Sequence, residues 1–276
     1  MIEDVHFRPS YFSANDLAHK ALQVNLSDIA AMGANPLYIL CGIAIPKTRL
    51  AYANQFLLKL AQHCKKATLH LIGGDTVKSS DKLCISITVI GTGQSSHLKY
   101  RKNAKAGDII YAAGKLGHAQ LGLVALETSQ PNLKSFKNAL LRPTAKIQEG
   151  VWLGAHTAVT SMMDLSDGLF IDLTRLCRAS RVGGNIMLQE ISPSTAFKHA
   201  CNALKQDPIQ IMLAGGEDYG LLFTVKKQAA LTIEQNFYKH FHYKLIKIGC
   251  ITSTSGVIIT NNGAVQQLNV QPFSHF

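Results

Sequence analysis

Residues 13–45, SANDLAHKALQVNLSDIAAMGANPLYILCGIAI, decide the class of the fold. Leu17, Ala21, Leu22, Leu26 and Ile29 recur at the three- and four-residue spacing of one helix face. Ser13, three residues ahead of Asp16, resembles a capping box at the start of that helix. Gly33-Ala34-Asn35-Pro36 breaks it, and a strand-like apolar run over 38–45 follows. A helix that hands over to a strand predicts a mixed α/β protein. The rest of the chain repeats the alternation: a helical pattern over 51–66, then strand-like runs over 69–72 and 83–90. Residues 94–107 are polar and basic, and a new strand signal begins at 109–112. That shift predicts a domain boundary, with an N-terminal domain over 1–103 and a C-terminal domain over 104–276. Beyond it the pattern predicts a helix over about 117–127, another starting at Pro143-Thr144, a strand ending near Met163 and a helix from Asp167. Asn261-Asn262-Gly263 predicts a hairpin turn joining 257–260 to 264–268.

The chain has 276 residues, 47% of them hydrophobic and 16% charged. Average soluble proteins carry about 25% charged residues, so a large core under a fairly neutral surface is expected. The longest apolar run, 37–45, is about half the roughly 20 residues of a membrane-spanning helix, so no membrane partner is expected. MIEDVHFRPS at the start lacks the apolar stretch of a secretory signal, and a cytoplasmic location follows. The six cysteines form no C-x-x-C pair and suit buried thiols in a reducing compartment. The net charge of +11 favours anionic ligands. The densest basic cluster, Lys99 to Lys102 with Lys105, has no aromatic-interleaved RNA module beside it, so no nucleic-acid partner is expected.

Neither G-x-x-x-x-G-K-[ST] nor G-x-G-x-x-G occurs, so the familiar nucleotide loops are not supported. What recurs is a short acidic motif after an apolar run: Gly73-Gly74-Asp75-Thr76, then Asp164-Leu165-Ser166-Asp167-Gly168, then Gly215-Gly216-Glu217-Asp218. Each is expected to be a turn that places a carboxylate at a strand end. Each also has a plain alternative. Asp75 can be an ordinary turn residue, and Ser166 or Asp167 can cap the helix that follows. Asp164 and Ser166 face one side if both are in a strand, as shared ligation of a metal requires. Asp28, three residues from Asn25 inside the first helix, is poorly placed for helix stability alone. Nothing local decides His6. Hard oxygen donors with a basic partner such as Arg101 suit magnesium and phosphates, and therefore metal-assisted phosphoryl transfer.

At these residues the chain resembles the thiamine-monophosphate kinase family, within the aminoimidazole-ribonucleotide-synthetase-like ATP-binding superfamily. The resemblance rests on VHF at 5–7, KALQVNLSDIAAMGANP at 20–36, LIGGDT at 71–76, AGDIIYAAG at 106–114, LRP at 141–143, DLSDGL at 164–169, GGEDY at 215–219 and HF at 275–276. It implies phosphorylation of thiamine monophosphate to thiamine diphosphate by ATP, with several magnesium ions. It implies a two-domain synthetase-like fold, a homodimer whose N-terminal domains pair strands, and an active site between the domains near the dimer interface. By position, Asp28, Asp75, Asp164 and Asp167 correspond to magnesium ligands, with Asp75, Asp164 and Asp167 central to catalysis. Gly74, Asp75, Arg101 and Ser166 correspond to ATP contacts. His6, Glu217 and Phe273 correspond to contacts with the thiamine phosphate. The family carries Thr-Asp ligands ahead of VHF, so a shortened N-terminus and impaired metal binding are expected. Selenophosphate synthetase or a purine-pathway synthetase shares the glycine-aspartate motifs, whereas VHF, GGEDY and the HF pair favour the thiamine enzyme. An impaired ATP-binding protein and a basic RNA-binding protein stand as alternatives from other classes.

Overall fold

The computed structural model describes residues 1–268 and residue 270. Helix α1 spans Ala14–Ala31 and begins as expected: Ser13 Oγ accepts the Asp16 amide at 3.2 Å and donates to its carboxylate at 2.6 Å. Strand β1 (Asn35–Ile45) follows, then α2 (Leu50–Lys66), β2 (His70–Lys78) and β3 (Cys84–Thr92). The three strands form a sheet in the order β2-β1-β3, with β1 parallel to β2 and antiparallel to β3. Ile39, Cys41, Ile43 and Ile45 of β1 alternate into a core with Leu17, Leu22 and Leu26 of α1 and Phe56 and Leu60 of α2.

In contrast, β2 is exposed at every position, Leu71 and Ile72 included. Two expectations are corrected here. The strand reaches to Lys78, and Gly73-Gly74-Asp75-Thr76 is its middle rather than a turn. Glycine serves this strand by closeness: a Cβ on Gly74 would come within 1.9 Å of the Cys41 carbonyl oxygen on β1.

The second half comprises β4 (Ile109–Ala113), α3 (His118–Glu127), α4 (Lys134–Leu141), α5 (Ile147–Ala155), β5 (Val159–Leu165), α6 (Leu169–Ser180) and β6 (Gly183–Met187). It continues with α7 (Thr195–Ala203), α8 (Pro208–Ala214), β7 (Gly220–Val225), α9 (Ala230–Phe241), β8 (Ile246–Thr252), β9 (Gly256–Asn261) and β10 (Ala264–Val265). These strands build a seven-stranded sheet in the order β10-β9-β6-β8-β4-β7-β5, antiparallel except for β6 with β9. The expected hairpin is present, with Asn262 and Gly263 both at positive φ, as a type I′ turn demands. The helix expected from Pro143 begins only at Ile147, and α4 precedes it. The apolar run before Gly215 is α8, capped by Asp207 and opened by Pro208, so the third acidic motif follows a helix and precedes β7.

The mixed α/β class is the one expected. The two sheets share helices: Ala119 of α3 and Leu140 of α4 join the first core, and Ala30 and Ala31 of α1 join a core with Leu221 and Phe223 of β7. All six cysteines are free thiols. Among the described residues, no helix is long and apolar enough to cross a membrane.

Gly74→Ala is expected to force β2 off β1 at a cost of about 1–3 kcal/mol, the range for overpacking, and to lower Tm by several degrees. Unchanged melting would contradict the close approach assigned to this glycine.

Candidate functional site

Two neighbouring clefts lie where α1 meets the acidic ends of β5 and β7. The first, about 500 Å³, is lined by Asp28, Arg101, Asp164 and Met32 among others. Asp164, the penultimate residue of β5, is buried there, and its pKa is raised to about 7. Burial is the main cause, with Asp28 and Asp172 adding repulsion, while the Ser27 hydroxyl and Arg101 favour the charged form. Asp28 stays exposed at the mouth of this cleft. The protein around its carboxyl still raises its pKa by excluding water, against the pull of Arg101. Arg101 is held by its backbone: its carbonyl accepts hydrogen bonds from Ser161 Oγ at 3.0 Å and from Ser180 Oγ. The guanidinium is thereby placed at the cleft by an anchored main chain.

The second cleft, about 590 Å³, is lined by His6, Ser166, Asp167, Glu217 and Tyr219, with Gln120 and Gln210 on its walls. Two loops form its floor. The amide of Glu217 donates to the Ser166 carbonyl at 2.7 Å, and that of Tyr219 to the Leu165 carbonyl at 2.8 Å. Gly216 permits this contact, because a Cβ there would lie 2.7 Å from the Ser166 carbonyl oxygen. Both Glu217 and Tyr219 take positive φ, 66° and 50°. Backbone of this kind in non-glycine residues is uncommon and clusters at functional sites. Nδ1 of His6 accepts the Ile2 amide at 3.0 Å, so the neutral ring carries its proton on Nε2.

Tyr219 lines the second cleft and feels the acids of both. Its pKa is raised well above the usual phenol value, first by burial and then by Glu217, Asp164, Asp167 and Asp28. The phenol therefore remains a neutral hydroxyl among four carboxylates. Such a site suits a cation, because each carboxylate added to the cluster raises the cost of ionising the next.

Sequence reasoning missed Tyr219, although it ends the GGEDY motif, and it missed Asp172. From the first turn of α6, Asp172 Oδ2 accepts the amides of Ser166, Asp167 and Gly168 at 3.0–3.1 Å. It is the loop's anchor, so neither Ser166 nor Asp167 caps α6; Gly168 occupies that position. An acidic residue in the first turn of a helix was the available signal. Asp218, the neighbour of Glu217, has a structural role: its carboxylate accepts the amides of Gly117 and Ala119 at the start of α3.

The expected set of four metal-binding aspartates is not assembled. Asp28, Asp164 and Asp167 all approach Tyr219, but Asp167 is paired with Arg175. Asp75 and Gly74 lie on exposed β2 and line neither cleft. Among the described residues, no group of three histidine, cysteine, aspartate or glutamate side chains converges closely enough to hold a metal by itself. Phe273 lies outside the described residues.

Residues 1–93 match the family model described as AIR synthase related protein, N-terminal domain. Over its whole length the chain is 32% identical to a thiamine-monophosphate kinase of Buchnera aphidicola subsp. Schizaphis graminum, covering 85% of it. It is 30% identical to that of Bacillus subtilis, covering 86%. Among solved structures it is similar to AaThiL complexed with AMPPCP and TMP, at 28% identity and a TM-score of 0.86, with 100% of this chain and 85% of that chain covered.

A carboxyl raised from 3.8 to about 7 by folding holds its proton more tightly in the folded state. Ionising it therefore destabilises the fold progressively between about pH 4 and pH 7, and fully above. Asp164→Asn is expected to melt higher than the parent at pH 8 in metal-free buffer, by roughly 1–3 kcal/mol, with the gain vanishing toward pH 4. A difference in melting that does not change with pH would contradict this.

Proposed function

The chain belongs to the thiamine-monophosphate kinase family, and from that premise we propose that it transfers the γ-phosphoryl group of ATP to thiamine monophosphate, giving thiamine diphosphate and ADP. The full-length likeness to these kinases carries the reading, and the acids of both clefts that surround Tyr219 support it. The likeness favours this activity over the synthetase, RNA-binding and non-catalytic alternatives.

The chemistry asks little of the protein beyond placement. A phosphate monoester has a second pKa near 6, so at neutral pH the acceptor is already mostly the anionic nucleophile, and no general base is required. What remains is to bring two polyanions into line and offset their charge. In this reading Arg101 and Ser166 contact ATP, with Asp28 and Asp164 at the phosphate end. Glu217 offers an anion to the cationic, amino-bearing heterocycle, and His6 contacts the thiamine phosphate. Phe273 is proposed as a stacking face for the heterocycle. Asp172 keeps the 166–168 loop in place, and Tyr219 keeps a neutral hydroxyl in the second cleft.

Magnesium fits the donor chemistry of the first cleft. Asp28 and Asp164 are carboxylates whose ionisation is opposed by their surroundings, so a bound cation relieves the conflict. Magnesium usually binds through one or two carboxylates plus substrate phosphates, which this pair supplies without a complete protein cage. When bound, it would neutralise charge on the phosphoryl oxygens.

The reading extends to assembly. Every residue of β2 is exposed, and an uncovered edge strand with Leu71, Ile72 and Val77 is a template for pairing with another chain. A homodimer built there would cover that strand and take Asp75 and Gly74 into a shared site. The domain division at 103/104 and a cytoplasmic location belong to the same reading; nucleic acid and membrane do not.

A coupled assay with ATP, magnesium and thiamine monophosphate tests the activity. Product should form with the parent chain and fall at least about 100-fold in Asp28→Asn and Asp164→Asn, the scale for removing an electrostatic contact to the reacting phosphate. ATP consumption indifferent to thiamine monophosphate would contradict it. Ile72→Lys on β2 is expected to give a monomer by sedimentation, whereas an unaltered dimer would remove β2 from the interface.

A further inference from the structure

The side chain of Lys20 on α1 is 1% exposed, a rare state for lysine. Its ammonium lies 5.1 Å from the centroid of the Phe12 ring and 2.7 Å from Glu217 Oε1. The contact with Glu217 is an ion pair by distance, yet its alignment is not that of a hydrogen bond, and Nζ has no other acceptor among the described residues. A buried ion pair adds little net stability, because replacing both partners by hydrophobic side chains of similar volume is often neutral or stabilising. The value of this lysine must then lie in what it does to Glu217.

Glu217 stands on the loop between α8 and β7, is 32% exposed, and lines both the 590 Å³ cleft and an adjoining one of about 440 Å³ that also contains His6 and Phe12. Its backbone is set by the bond to Ser166, and its side chain borders both clefts. Lys20 reaches it from the opposite side of the junction, out of the first core. Oε1 faces the ammonium, and the carboxylate as a whole remains a third exposed toward the clefts.

We propose that Lys20 is a positioning residue for the thiamine end of the site: its buried ammonium holds Oε1 of Glu217 and thereby presents Oε2 to the amino-bearing heterocycle of the acceptor. This rests on the reading of Glu217 as a contact to the thiamine phosphate. Lys20 itself touches neither substrate.

The test compares Lys20→Met, Glu217→Gln and the double variant with the parent, measuring Tm and the KM for each substrate. A charge-assisted hydrogen bond is worth about 10- to 100-fold in binding. Lys20→Met should therefore raise the KM for thiamine monophosphate ~10-fold or more, with the KM for ATP within about 2-fold and Tm lowered only modestly, because the Glu217 carboxylate left behind is a third exposed. The double variant should be no worse than Glu217→Gln alone, because Lys20 acts through Glu217. A parental KM in Lys20→Met, equal rises for both substrates, multiplying effects in the double variant, or loss of soluble protein would each overturn the proposal. If Glu217→Gln is impaired and Lys20→Met is not, only the role of Lys20 fails. If Glu217→Gln binds thiamine monophosphate normally, the reading of Glu217 fails with it.

Discussion

Helix α1 packs Leu17, Ala18, Ala21, Leu22 and Leu26 into the core of the first sheet, and Ala30 and Ala31 into a core with the second. Its 18 residues span about 27 Å, enough to cross from one sheet to the other. Because it is wedged between both, every polar group it carries has a fixed position relative to the loops after β5 and before β7. Lys20 and Ser27, seven residues or about two turns apart, share a buried face; one meets Glu217 and the other lies beside Asp164. Asp28 follows at the mouth of the first cleft. The geometry of the site is in this sense the geometry of one helix, with the carboxylates of the second sheet brought up against it.

That arrangement trades stability for chemistry. Asp164 and Asp172 are both buried, with pKa values raised to about 7 and about 6, and Asp218 beneath the neighbouring loop is also raised to about 7. They differ in what compensates them. Asp172 accepts three amides, and Asp218 is bonded to the first turn of α3, so their cost is offset inside the fold. Asp164 has the neighbouring Ser27 hydroxyl, which makes no well-aligned hydrogen bond among the described residues, and Arg101 against burial and two like charges. A carboxylate left so poorly compensated is a candidate for ligand chemistry rather than support, which is how the structure separates acids that look alike in the sequence.

Where local rules are strong, the sequence was legible. The cap at Ser13, the helix ending at Gly33 and the Asn262-Gly263 turn each follow from a few neighbouring residues, and each is present. Gly73-Gly74-Asp75-Thr76 reads as a turn because glycine pairs usually are one; that it is a strand depends on the Cys41 carbonyl of β1, far off in sequence. The apolar run before Gly215 is too short for periodicity to separate strand from helix, although Asp207 and Pro208 mark a helix start. The motifs identified Asp28, Asp164 and Glu217 as residues of interest, and the fold brings them around Tyr219. Lys20 was out of reach, since its partner is established by tertiary contact, and Asp172 offered only its place in the first turn of α6, which does not reveal the loop that bends back onto it.

In the proposed reaction the phosphoryl group passes directly between two bound anions, with the protein supplying position and charge and no covalent phosphoenzyme. The stereochemical course at phosphorus tests this most directly, using ATP made chiral with oxygen isotopes at the γ-phosphorus and analysing the thiamine diphosphate formed. A single in-line displacement predicts inversion of configuration. Retention, the mark of two successive displacements through an enzyme-bound phosphoryl group, would contradict the account.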